Sequence, residues 1–184
     1  MGMSESMVRH ALANPQEHDW TIQGFGMLRT WLDPEGYSRL HIWDTEKAYD
    51  QVPSTVHTHP WDFTSRIYFG RIINTRYVPQ PDGSEYKWAK ILTGRGGGLI
   101  SEHETTRLTA NPPEEYYPGS NYMQFAEEIH ESTPDKGTVT VINRNFRYER
   151  EAAVYWPANA EWITAEPRVA TMDEVMHFLS LVKT

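Results

Sequence analysis

The chain has 184 residues, no cysteine, a formal net charge of −8 and 12% aromatic residues. That length suits one domain, 1–184, able to bury roughly two-thirds of the surface its unfolded chain exposes. The missing thiols exclude a disulfide scaffold, a thiolate metal site and a cysteine nucleophile, and the acidic balance argues against a nucleic-acid partner. With eight His and no Cys, metal chemistry must run on imidazole and carboxylate.

The first residues, Met1-Gly2-Met3-Ser4-Glu5-Ser6, lack the basic and apolar regions of a secretory signal. Gly2 and Ser6 satisfy the myristoylation pattern formally, but Met3 reads as a second start and Met1-Gly2 as a cloning remnant. No apolar run approaches the ~20 residues that cross a bilayer, so the expectation is a soluble, cytoplasmic chain without a membrane partner. Residues 1–20 form an N-terminal extension, with a short helix over 4–13 that stops at Asn14-Pro15.

From about residue 24 to residue 160 the texture is β-like. Strands are expected at 26–32, 38–43, 55–69, 71–78, 86–92, 98–103, 122–130, 138–143 and 152–156, with turn residues between them. The separators include Pro79-Gln80-Pro81-Asp82-Gly83, Gly94–Gly98 and Pro134-Asp135-Lys136-Gly137. A C-terminal helix over 171–182 follows: Thr171 and Glu174 make a capping box, and Val175, Phe178, Leu179 and Val182 repeat at helical spacing. Many short strands with one helix at the end predict an all-β sandwich or small antiparallel barrel.

The densest chemistry lies in Val56-His57-Thr58-His59-Pro60-Trp61-Asp62-Phe63-Thr64-Ser65-Arg66. Residues two apart on a strand share a face, so His57 and His59 can chelate one divalent ion together. The same parity puts Trp61, Phe63, Ser65, Ile67 and Phe69 on that face, and Asp62, Arg66 and Tyr68 on the other. Pro60 is a site for a bulge that would break this register.

These residues resemble the first motif of the cupin superfamily, an HxH followed by a Glu and then by a Gly. Here His57 and His59 are followed by Phe63 in the Glu position and by Gly70 in the Gly position. Gly119 and His130 have the separation of the Gly and His in the second cupin motif. The resemblance covers roughly residues 50–145 and is at superfamily level. It implies a double-stranded β-helix, jelly-roll-like, with His57, His59 and His130 converging on a divalent transition metal. Iron(II) is favoured, with manganese, nickel or zinc as other occupants, and Asp62 is a further candidate ligand. It also implies a metal-dependent enzyme acting on a small polar or anionic molecule, with iron(II) dioxygenase chemistry first. The alternatives are a redox-neutral lyase or isomerase, or a cupin that binds or senses a small ligand without chemistry. Cupins often pair their barrels through edge strands, which leads to the expectation of a homodimer.

Other groups are expected to line the site. Arg66 and Arg76 are candidates to anchor a substrate anion, Trp61 and Phe63 to form its walls, and Glu128 and Tyr68 to carry protons. Gly94-Arg95-Gly96-Gly97-Gly98 lacks the Lys-Ser/Thr of a phosphate loop and reads as a hairpin tip. The remaining five histidines are background, with His10, His18, His103 and His177 expected at the surface.

Overall fold

The computed structural model describes residues 5–24, 26–46, 54–91, 102–148, 151–161 and 167–182. Its strands are β1 (Thr21–Gln23), β2 (Met27–Trp31), β3 (Ser38–Trp43), β4 (Val56–His57), β5 (Trp61–Phe69), β6 (Ile72–Ile91), β7 (Glu104–Ala110), β8 (Glu114–Tyr116), β9 (Asn121–Gln124), β10 (Ile129–Pro134), β11 (Val139–Arg147), β12 (Ala152–Pro157) and β13 (Arg168–Val169). Helices α1 (Glu5–Ala13) and α2 (Met172–Ser180) stand at the two ends. Of the expected strand at 98–103 only Glu102 and His103 are described, and they precede β7 without belonging to a strand; the rest of it and the glycine-rich tip lie outside the described residues.

All the strand pairings are antiparallel and form two sheets. A seven-stranded sheet runs β13-β1-β2-β3-β11-β5-β9, and a six-stranded sheet runs β10-β4-β12-β6-β7 with β8 added on β6. Among the described residues no ladder joins one sheet to the other. The expected all-β chain with a C-terminal helix is present, but as a sandwich of two open sheets rather than a closed barrel.

The seven-stranded sheet is apolar on its outer face. Ile22, Leu28, Leu40, Ile42, Val139 and Val141 bury there against Val8 and Ala11 of α1 and Val175 and Phe178 of α2. Burying one such side chain is worth about 1.5–3 kcal/mol, so this layer fixes both helices. The capping box holds: the Thr171 hydroxyl accepts from the Glu174 amide at 3.3 Å, and the Glu174 carboxylate accepts from the Thr171 amide at 2.9 Å. The inner face carries Phe63, Ile67, Tyr122 and Ile142, which pack against Trp61 and Ile72.

Two expected strands merge in β6. The segment Pro79–Gly83 stays extended because a register shift against β7 between Pro79 and Ser84 absorbs the residues that lack ordinary partners. One half of β6 pairs with β10 and the other with β12, and β4 bridges those two neighbours. Conversely, the expected runs 55–69 and 122–130 are each broken, at 58–60 and at 125–128. The second break lets β9 and β10 belong to different sheets.

Candidate metal centre

His57 ends β4, His130 lies on β10, and the two are direct cross-strand partners. His59 follows β4 in an irregular stretch whose backbone is tied by the His59 amide donating to Ala126 O at 3.3 Å. The three ring nitrogens meet between the sheets: His57 Nε2 is 3.0 Å from His59 Nε2, which is 3.1 Å from His130 Nε2. Among the described residues these three alone form a group of possible ligand atoms, all within 4.8 Å of one another.

The outer nitrogens settle which atoms can bind a cation. His57 Nδ1 lies 2.7 Å from Thr55 O, a carbonyl that can only accept, so Nδ1 carries the proton. His130 Nδ1 lies 2.8 Å from Asn74 Oδ1, whose amide nitrogen donates onward to Gln124 Oε1 at 3.2 Å; His130 Nδ1 is again the donor. Both Nε2 atoms therefore present lone pairs toward a common point. Lone pairs crowded at about 3 Å repel unless a cation or a proton sits between them, and that spacing suits Nε2 ligands about 2.0–2.1 Å from one ion. The residues fit a divalent transition metal. Burial holds His57, His59 and His130 below the ordinary imidazole range, with His57 and His130 adding to the effect on His59. The neutral form is the ligating form.

Phe63, in the cupin Glu position, packs against the centre: its ring centroid is 4.8 Å from that of His59 and 6.0 Å from that of His130. Trp61 lies 5.6 Å from His59. The structure thus gathers His57, His59, His130, Trp61 and Phe63.

The other candidates sit elsewhere. Asp62 is buried, but its two oxygens accept from the Ala126 amide at 2.8 Å and the Tyr148 hydroxyl at 2.9 Å, outside the histidine group. Glu128 Oε2 accepts from Gln124 Nε2 and the Phe125 amide, each at 3.0 Å. It closes a relay that begins at His130 and passes through Asn74 and Gln124. Arg76 is the cross-strand partner of His130, yet its guanidinium is spent on Glu114, Glu128 and Met123 O. Tyr68 packs in the outer layer with the helices, and exposed Arg66 lies over its ring at 5.4 Å. Both occupy the face of β5 opposite Phe63.

Sequence reasoning missed Thr55, Asn74 and Gln124, the groups that orient the imidazoles directly or through one another. Asn74 and Gln124 are wholly buried amides, a pairing that no motif announces. His41 is not background either: it is buried and accepts from Arg39 Nε at 2.8 Å. His177 meets Asp44 at 2.7 Å and pins α2 to the loop after β3.

The fold and the site together define a two-sheet β-sandwich with a three-histidine group able to hold one metal ion between its sheets. No family model and no curated protein matches the sequence. Among the described residues, no helix is long and apolar enough to cross a membrane.

Proposed function

We propose that the chain is a metal-dependent enzyme of the cupin type, which binds one divalent transition metal through His57, His59 and His130 and acts on a small polar or anionic molecule. The observation that carries this reading is the convergence of Nε2 atoms at 3.0 and 3.1 Å with two outer nitrogens held by Thr55 and Asn74. A bound ion would supply Lewis acidity and open coordination positions, and as iron(II) it would supply dioxygen chemistry, the first choice within this class. The protein's own part is to keep three imidazoles neutral and oriented, and to wall the centre with Trp61 and Phe63. One observation favours a second reading, a cupin that binds or senses a ligand without chemistry: an apolar ring, Phe63, fills the place where a carboxylate would tighten the metal and move protons.

Elemental analysis of protein purified without a His-tag tests the metal. About one equivalent of a transition metal per chain is expected, lost in His57→Ala and His130→Ala and kept in His103→Ala, whose side chain is exposed. Absence of metal together with failure to bind it at micromolar concentration overturns the reading. Anaerobic iron(II) loading followed by oxygen uptake across small-molecule pools separates enzyme from sensor: uptake supports the oxidase, and a bound ligand without turnover supports the second reading.

A further inference from the structure

The inner face of the seven-stranded sheet is more polar than a sandwich interior requires. Cross-strand register aligns Trp31, Arg39, Ile142, Ser65 and Tyr122 in one row. Ser65, Tyr122 and Ile142 are buried at 1–6% exposure, and Ile142 and Tyr122 pack with Ile72 of the other sheet. Arg39 therefore projects from the face that looks across the sandwich toward β4 and β10. The adjoining row carries Arg29, His41, Thr140 and Ile67 on that same face.

Arg39 is held in place without being neutralised. Its Nε donates to His41 Nε2 at 2.8 Å and its guanidinium lies 5.2 Å from the Trp31 ring centre. Among the described residues no carboxylate lies within ion-pair distance of Arg39 or Arg29, and the terminal nitrogens of Arg39 bond to no protein group. Arg144 stands beside it, its guanidinium donating to Gly36 O, 4.8 Å from the same Trp31 ring and 5.2 Å from that of Trp61, which in turn packs on His59. Stacking on indole orients a guanidinium and leaves its forked edge for a planar acceptor. Burial pushes Arg39 well below the ordinary guanidinium range, with Arg29 and Arg144 adding to the effect, and the field of Arg39 reaches His57 and His59. Arg39 and Arg29, drawn out of water with no carboxylate at ion-pair distance among the described residues, are costly there unless an anion joins them.

We propose that Arg39 forms an oxyanion subsite adjoining the three-histidine centre, so that the molecule bound there is small and carries a carboxylate or phosphate group. This rests on the metal-centre reading for its location, not for its charge logic. It also moves the substrate anchor from Arg66 and Arg76, one turned outward and the other paired with carboxylates, to a strand that neither cupin-like motif includes.

The test titrates malonate and inorganic phosphate, with chloride as control, into metal-free and zinc-loaded protein by calorimetry. At least one oxyanion is expected to bind with Kd below about 1 mM, weakened roughly 10–100-fold in Arg39→Met and less in Arg39→Lys. Binding of malonate alone assigns a carboxylate, and binding of phosphate alone a phosphate. His59→Ala, which removes a metal ligand, is expected to keep oxyanion binding in the metal-free state. A wild-type protein that holds zinc but no oxyanion at 10 mM, on the order of ten times that limit, overturns the subsite and leaves the centre standing. Oxyanion binding without metal binding does the reverse. Equal affinity in folded Arg39→Met and wild type also overturns it. Should Arg39→Met not fold, Arg39→Gln and the wild-type titration decide by the same criteria.

Discussion

Replacing Asn74 by Leu tests whether the metal centre is oriented from outside. Asn74 is wholly buried and makes two bonds, accepting from His130 Nδ1 at 2.8 Å and donating to Gln124 Oε1 at 3.2 Å. Leucine fills a similar volume but leaves the His130 N–H and the Gln124 carbonyl stranded, each costing about 1–3 kcal/mol. The sum, roughly 2–6 kcal/mol, lowers Tm by about 4–24 °C in a chain of this length. Freed from Asn74, His130 also loses the bond that fixes its tautomer, and zinc affinity falls by about 10–100-fold. Gln124→Leu separates the two effects: it strands Asn74 Nδ2 and Glu128 while leaving the His130–Asn74 bond in place. It is expected to lower Tm with metal affinity nearly unchanged. Chelator competition gives the affinities and urea melts the stabilities. If Asn74→Leu binds zinc within about threefold of wild type, orientation through Asn74 is refuted whatever its stability.

Two further outcomes follow from described geometry. In metal-free protein His41, His57, His59 and His130 are held below the ordinary imidazole value, chiefly by burial, whereas the unfolded chain protonates them near pH 6.5. Below that pH the unfolded state binds more protons, so stability is full above it and declines as pH falls, by up to about 1.4 kcal/mol per pH unit for each histidine. Urea midpoints at pH 7.5, 6.5 and 5.5 that do not move, where a shift of about 1 kcal/mol or more is expected, contradict this. Gly70→Ala puts a Cβ against Thr138 Oγ1 and 2.8 Å from the Thr138 Cα, at φ +74°. It costs roughly 2–4 kcal/mol, and an unchanged melting temperature would refute the packing described there.

The histidine group was legible in the sequence because its signals are local. Strand parity singled out His57 and His59, although the strand breaks at 58–60 and His59 reaches the group from an irregular stretch; Gly70 and Gly119, the glycines that index the two cupin-like motifs, take φ +74° and +89° where a side chain is disfavoured. Helix α2 was legible through its capping box and apolar spacing. The fate of Pro79–Gly83 was not, since turn residues inside a strand make sense only once β7 supplies the shifted partner. Arg39 escaped for a related reason. Parity tells which residues share a face, but only the sheet order tells that the face of β3 carrying Arg39 looks toward His57. Asn74, Gln124 and Thr55 lie on three segments that tertiary packing alone brings to the ring nitrogens.

The three histidines are not held with equal stiffness. His57 and His130 lie on strands that both hang from β6, β10 directly and β4 through β10 and β12, and each has its outer nitrogen tied to the protein. Their separation is set by the β4–β10 pairing, in which they are direct partners, and β6 holds that pair in the sheet. His59 stands off the strands, and its ring bonds only to the other two imidazoles among the described residues. Two imidazoles are thus set by strand pairing and by bonds at their outer nitrogens, whereas the third is placed by its amide bond to Ala126 and by ring packing on Trp61 and Phe63, so its position depends on apolar walls rather than on a ladder.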